Sequence, residues 1–208
     1  MAADLAVQWL GRLSFGWAER LQRGRRRSII AGVAPEVLWL LEHDPVITLG
    51  RRGGEVLANP SIPVVATDRG GLATYHGPGQ LVGYLLVDVD ARRLGVRRLV
   101  EAIEDGLIAW LTTKGILADR RPHAPGVWVG DHKIAALGLH FSRGVSMHGF
   151  ALNLEPHLAA YQAIVPCGFS SDQVTSVAKL KGGSWPVFDH AADVGQYVRD
   201  AIVSKPGP

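Results

Sequence analysis

Twelve residues, Arg69–Gln80, read RGGLATYHGPGQ and combine four glycines with a proline. In a helix interior each glycine would cost about 1 kcal/mol and the proline about 3 kcal/mol relative to alanine, so no helix crosses this stretch. Glycine instead permits turns and close backbone approaches that a Cβ would block. The apolar segments on either side, Ile62–Ala66 and Leu81–Val89, read as strands, so the stretch is a loop held at both ends by a sheet. Such a loop either wraps a ligand or is a glycine-rich surface turn.

The chain around it alternates strand and helix signals. Residues 5–10 read as a short strand, and Ser14 as the cap of a helix running to about Arg27 with Phe15, Ala18 and Leu21 inward. Val37–Leu41 and Val46–Leu49 read as strands. Val96, Leu99, Val100, Ile103, Leu107 and Leu111 recur at helical steps, and Lys114-Gly115 ends that helix. A meander follows: Val127–Val129, a Gly130-Asp131 turn, His132–Phe141, a Ser142-Arg143-Gly144 turn, and Val145–Leu154. Strict alternation in His132–Phe141 would put Lys133 on one face with Ala135, Leu137, Leu139 and Phe141. Pro156 opens a short helix through Leu158, Tyr161 and Ile164. A last amphipathic helix spans Val187–Val203, and the tail Ser204–Pro208 is expected to fray. The predicted class is α/β (α+β): one domain over residues 1–208, a mixed sheet flanked by helices.

Composition narrows the function. Apolar residues make up 47% and charged residues 20% of 208, as in globular proteins, and no apolar run reaches membrane-spanning length. The amino terminus lacks a secretory pattern, which gives a cytoplasmic expectation. Arginines cluster at Arg20, Arg23, Arg25, Arg26 and Arg27 and again at Arg92, Arg93, Arg97 and Arg98. These are solvated helix faces or docking sites for an acidic partner. Aromatic residues are not interleaved with them as a nucleic-acid stacking surface would require.

Cys167 is the only cysteine of the chain, which excludes a disulfide framework and a multi-cysteine zinc site. Pro166 and Gly168 place it on a loop, where it is either inert or a nucleophile. A free thiol with a pKa near ~8.5 is mostly protonated at neutral pH, so catalysis needs a neighbouring cation or base. Lys133, His148 and His76 are the candidates, and spacing alone does not choose among them. The eight histidines form no ligand-spaced set, so no metal is expected, and no phosphate-binding loop is present.

Five motifs in order, HDPVITLGRRGG (43–54), RGGLATYHGPGQLVGY (69–84), HKIAALG (132–138), MHGFALNL (147–154) and PCGFSSDQVTSV (166–177), resemble the lipoyl(octanoyl) transferase family. Tyr84-Leu85 departs from the tyrosine-proline pair of that pattern. The resemblance implies a biotin/lipoyl-protein-ligase-like fold. It also implies transfer of an octanoyl group from acyl carrier protein to a lysine on lipoyl domains of 2-oxoacid dehydrogenases and glycine-cleavage H protein; with a thioester as donor this exchange needs no cofactor or metal, and a monomer is the expectation. It implies a catalytic pair of Cys167 and Lys133; His148, a candidate from the residues alone, is kept as an accessory. Substrate contacts would fall at Arg69, Gly70, Gly71, Leu72, Ala73, Thr74, Tyr75 and His76, at Ala136, Leu137 and Gly138, and at Gly149, Phe150 and Ala151. The rival enzyme is an ATP-dependent lipoate or biotin ligase, which has no need of Cys167; the rival outside enzymes is a silent acyl- or carrier-binding protein.

Overall fold

The computed structural model of the chain describes residues 5–57, 61–164 and 173–204. Its main sheet has six strands: β1 (Ala6–Leu13), β2 (Val37–His43), β6 (Gln80–Leu86), β9 (Val145–Asn153), β8 (His132–Ser142) and β7 (Gly126–Val129), in that spatial order. Only the β1–β2 pair is parallel; the other four pairs are antiparallel. A second sheet joins β4 (Val64–Ala66), β3 (Val46–Leu49) and β5 (Ala73–His76).

Both faces of the main sheet are covered, which is why its central strands are apolar without alternation. On one face Val37, Trp39 and Leu41 of β2 join Val82, Tyr84 and Leu86 of β6 beneath helix α1 (Phe15–Ile30). On the other, Leu38, Leu40, Leu81 and Leu85 meet helices α2 (Gly95–Thr113) and α4 (Val187–Val203). Leu99, Ile103, Leu107 and Trp110 of α2 are fully buried there. Each apolar side chain so buried contributes roughly 1.5–3 kcal/mol before entropy is counted. A 3₁₀ segment, Leu158–Ala163, closes a smaller cluster with Ile47, Tyr75 and Val174.

The sequence places the larger elements within a few residues, and α4 and β3 at both ends. It differs in four places. The glycine-rich stretch contains a strand, β5, because Ala73–His76 is free of glycine and pairs antiparallel with β3. A five-residue helix α3, Val177–Lys181, has too few turns for a periodic signal; the Ser176 hydroxyl accepts from Lys179 N and caps it. The helix expected from Pro156 begins two residues later and is 3₁₀. Ser14 stands at the α1 N-cap, but its side chain makes no capping bond. Among the described residues no helix is long and apolar enough to cross a membrane.

Candidate active site

Lys133 takes its place through an irregularity in β8. Gly126 and Val127 of β7 pair with Ala136 and Ala135, but Trp128 and Val129 pair with Lys133 and His132, so Ile134 is an extra residue. A bulge of this kind breaks the alternation of faces. Ile134 and Ala135 both enter the α2/α4 core. Lys133 therefore shares the face of its partner Trp128, not that of Ala135, Leu137, Leu139 and Phe141, and the expectation from strict alternation is corrected. Its Nζ donates to the Pro125 carbonyl at 3.1 Å and lies 4.8 Å from the Trp128 ring centre. Gly126 makes room for it: at φ 133°, a Cβ there would sit 3.2 Å from Lys133 Cε. The buried carboxylate of Glu104 accepts from Gly126 N at 2.9 Å and from Arg120 Nε at 2.9 Å, which fixes this corner.

Lys133 opens onto a cavity of about 410 Å³. Small residues make the floor: Ala136 of β8 pairs with Ala151 of β9, which pairs with Val82 of β6. Gly138, Gly149 and Tyr84 form the parallel row beside them. The roof is the glycine-rich stretch, contributing Arg69, Gly70, Gly71, Thr74 and His76. Roof and floor meet where Gly70 N donates to Leu139 O at 3.0 Å, and a Cβ on Gly138 would lie 2.9 Å from Gly70 O. Arg69 braces the roof, donating to Thr48 O at 2.6 Å, Thr48 Oγ1 at 2.9 Å and Gly70 O at 3.0 Å. Beyond Ala136 the edge of β8 has no β7 partner, and the cavity continues over it to Leu137, Leu139 and Phe141 with Val96 and Val100 of α2.

The end of the cavity under α1 is a cluster of rings: Phe15, His43, His76 and Tyr84. His43 Nδ1–H donates to Leu13 O at 2.8 Å, so its Nε2 accepts from the Tyr84 hydroxyl at 2.6 Å. His76 Nδ1–H donates to Gln80 Oε1 at 2.7 Å, while Gln80 Nε2 serves Asn153 and Tyr161. Burial lowers His43 to about 4 and His76 to about 3, and raises the Tyr84 phenol. At neutral pH all three rings are uncharged. Both His43 nitrogens and the Tyr84 hydroxyl are paired, so Tyr84 turns ring surface to the cavity.

A polar node stands beside these rings, the His148 ring centre lying 6.0 Å from that of Tyr84. His148 Nε2–H donates to Asp68 Oδ1 at 2.7 Å, and Arg23 of α1 pairs with Asp68 Oδ2 at 3.1 Å. That bond to His148 is the main reason the Asp68 carboxyl is held far below the usual carboxylate range. His148 has φ 62°, in the left-handed region, and its N–H donates to Gln22 Oε1 at 2.8 Å. Arg26 donates to His140 Nδ1 at 3.0 Å. Arg23 and Arg26, two members of the first arginine cluster, are thus anchored at the cavity; in the second, Arg92 is bound to Glu36 and Arg97 to Glu101.

Of the residues expected at the site, Lys133, Arg69, Gly70, Gly71, Thr74, His76, Ala136, Leu137, Gly138, His148, Gly149, Phe150 and Ala151 line one cavity. Leu72, Ala73 and Tyr75 do not: Ala73 and Tyr75 pack toward Ile47 and Tyr161 instead. Lys133 and His148 stand at separate places, since His148 pairs with Leu139, roughly 20 Å along β8 from Lys133. Cys167 lies outside the described residues. Chain on its carboxyl-terminal side returns to the site, where Thr175 N donates to Lys133 O at 3.0 Å and Val174 bridges Lys133. Sequence reasoning missed His43 and Asp68, although one opens the first motif and the other precedes the glycine-rich stretch. Among the described residues no group of histidines and carboxylates is arranged to hold a metal.

Residues 14–199 match the lipoyl protein ligase A/B catalytic domain. The octanoyltransferase of Chromohalobacter salexigens is 53% identical over 149 residues, covering 71% of this chain and 68% of that protein. That of Azotobacter vinelandii is 49% identical over 183 residues, covering 85% and 82%. In three dimensions the chain resembles a lipoate-protein ligase A bound with ATP, at a TM-score of 0.69 and 14% identity, over 98% of this chain and 86% of that one. The last likeness is one of fold. Together with the sequence matches it leads to one assignment: this chain belongs to the family of lipoyl protein ligase A/B catalytic domains.

Proposed function

We propose that the chain is an octanoyltransferase of protein lipoylation, moving an octanoyl group from acyl carrier protein to a lysine of a lipoyl domain through an acyl-Cys167 thioester. The observation that carries this reading is the bulge at Ile134, which turns Lys133 into the cavity while its backbone holds the chain that follows Cys167. The identity to relatives named octanoyltransferase supports it.

In the first step Cys167 thiolate attacks the thioester carbonyl, the carrier thiolate leaves with the proton of the Lys133 ammonium, which becomes a neutral amine, and Cys167 carries the acyl group. A Lys133 ammonium within reach of the Cys167 thiol would favour thiolate. In the second, the acceptor amine attacks the acyl-Cys167 carbonyl. The C–N bond forms, the C–S bond breaks, and the amine's proton passes to neutral Lys133. Thioester-to-amide exchange is downhill, so the reading requires neither ATP nor metal. Exposed arginines around the cavity, Arg51 and Arg52 among them, suit acidic carrier and lipoyl domains, and binding should weaken with salt. The test is intact mass after mixing the protein with an octanoyl thioester without ATP. A single octanoyl adduct, lost in Cys167→Ala, is expected; its absence from the wild type would sink the proposal.

A further inference from the structure

We infer that Tyr84, held in place by His43, is the stop that sets acyl-chain length in this cavity. The inference rests on the octanoyl-thioester reading and concerns a residue pair to which that reading gives no role. The floor residues Ala136, Ala151 and Val82 lie in register on three adjacent strands. Strands spaced about 4.8 Å apart put β6 roughly 10 Å from β8. An extended acyl chain advances about 1.25 Å per bond, from carbon–carbon bonds of about 1.5 Å at angles near 111°, so its seven bonds span roughly 9 Å. A chain that starts over Ala136, two rungs along β8 from Lys133, and slants toward Tyr84, one same-face row beyond Val82, has a diagonal of roughly 12 Å to cross, which roughly 9 Å of chain and about 2 Å of methyl radius fill.

At β6 the way is closed by Tyr84, next after Gly83 on the strand and turned to the same face as Val82, with Phe15 beside it. Tyr84 is 4% exposed and His43 fully buried. His43 does not line the cavity. It ties the Tyr84 hydroxyl to β1 through two hydrogen bonds in series, Tyr84 Oη to His43 Nε2 at 2.6 Å and His43 Nδ1 to Leu13 O at 2.8 Å. Both rings are neutral, and their polar atoms face each other, so a methyl group meets ring surface without stranding a charge or an unpaired donor. His43 is accordingly a positioning residue and Tyr84 the surface that the chain touches. Among the described residues the other end of the cavity has no such barrier: over the β8 edge it opens beside Val96, which is 50% exposed.

The test measures covalent loading of the full chain by six-, eight-, ten- and twelve-carbon acyl thioesters, read by intact mass. For the wild type, eight carbons should load best. Tyr84→Ala should raise the ten-to-eight loading ratio about tenfold or more, the binding gain of two further buried methylenes. His43→Ala and Tyr84→Phe, which free the ring but keep it, should move the ratio the same way by a few-fold. His43→Gln, whose amide can donate to Leu13 O and accept from Tyr84, should restore the eight-carbon preference. A merely structural role would lower loading of every chain length alike. That result, or an unchanged ratio in folded His43→Ala and Tyr84→Phe, overturns the chain-length role alone. Failure of the wild type to load any thioester would overturn the transferase reading with it.

Discussion

Acidification should unfold this protein through two buried histidines. His43 and His76 are held neutral inside the ring cluster, with burial lowering them from 6.5 to about 4 and about 3. A histidine lowered on folding binds its proton more readily in the unfolded chain, so stability is complete above about pH 6.5 and declines as pH falls toward the folded values. The slope is about 1.4 kcal/mol per pH unit for each group, hence nearly 3 kcal/mol per unit for the pair. Between pH 6.5 and 4.5 the loss approaches 5 kcal/mol, which is comparable to the whole stability of many domains. His140 and His190, also lowered by burial, act in the same direction. Asp68, held low by His148, contributes with the opposite cause and only below about pH 4, where its unfolded counterpart protonates. Urea unfolding followed by circular dichroism at half-unit steps from pH 7 to 4.5 measures the slope, and His43→Gln should reduce it by about half. A stability that stays flat over this interval, or a His43→Gln slope equal to the wild type, would refute the argument that buried neutral imidazoles govern the acid limb.

Three further outcomes are expected. Lys133→Ala should leave the melting temperature within a few degrees and slow alkylation of Cys167 at neutral pH by about tenfold or more, since a neighbouring cation lowers a thiol pKa by about a unit or more; an unchanged rate would assign thiol activation to another group. Gly138→Ala puts a methyl 2.9 Å from Gly70 O and must lift the roof, so the donor KM should rise several-fold at a stability cost of about 1–3 kcal/mol, read by steady-state kinetics and urea unfolding. In Asp68→Asn the amide has one oxygen for two donors. If Arg23 keeps it, the NH₂ faces His148 Nε2 and forces the other tautomer, visible in the ¹⁵N shifts of the His148 ring, with a loss of about 1–3 kcal/mol.

Much of the framework was legible because its signals are local. The α4 apolar period, the Gly130-Asp131 turn and the β-rich runs of β2 and β6 each state their conformation within a few residues. So too with the candidate site, where the glycine-rich stretch marked the roof before its floor was known. What escaped depends on pairing. Nothing in the order Lys133, Ile134, Ala135 says that one of them is unmatched across β7, and the bulge reverses the facing of the lysine. Asp68 and Gln22 gain their roles only when α1 crosses β9, far away in sequence. His43 reads as the end of an apolar strand; its task appears when Tyr84, forty-one residues later, meets it across the sheet.

The unmatched residue in β8 also has a bearing on how such a strand tolerates change. Because Ile134 decouples the two halves of β8, His132 and Lys133 follow one phase and Ala135 onward another. Losing the single codon for Ile134 would restore strict alternation and leave Lys133 opposite Trp128 on the cavity face, at the cost of one core side chain; straightening the strand with every residue kept, by a one-residue slip of His132–Lys133 against β7, would turn the ammonium behind the sheet. The centre thus tolerates the loss of that residue better than the loss of its bulge: a slip of register there, with no change of sequence length, would be silent in the architecture and total in the chemistry.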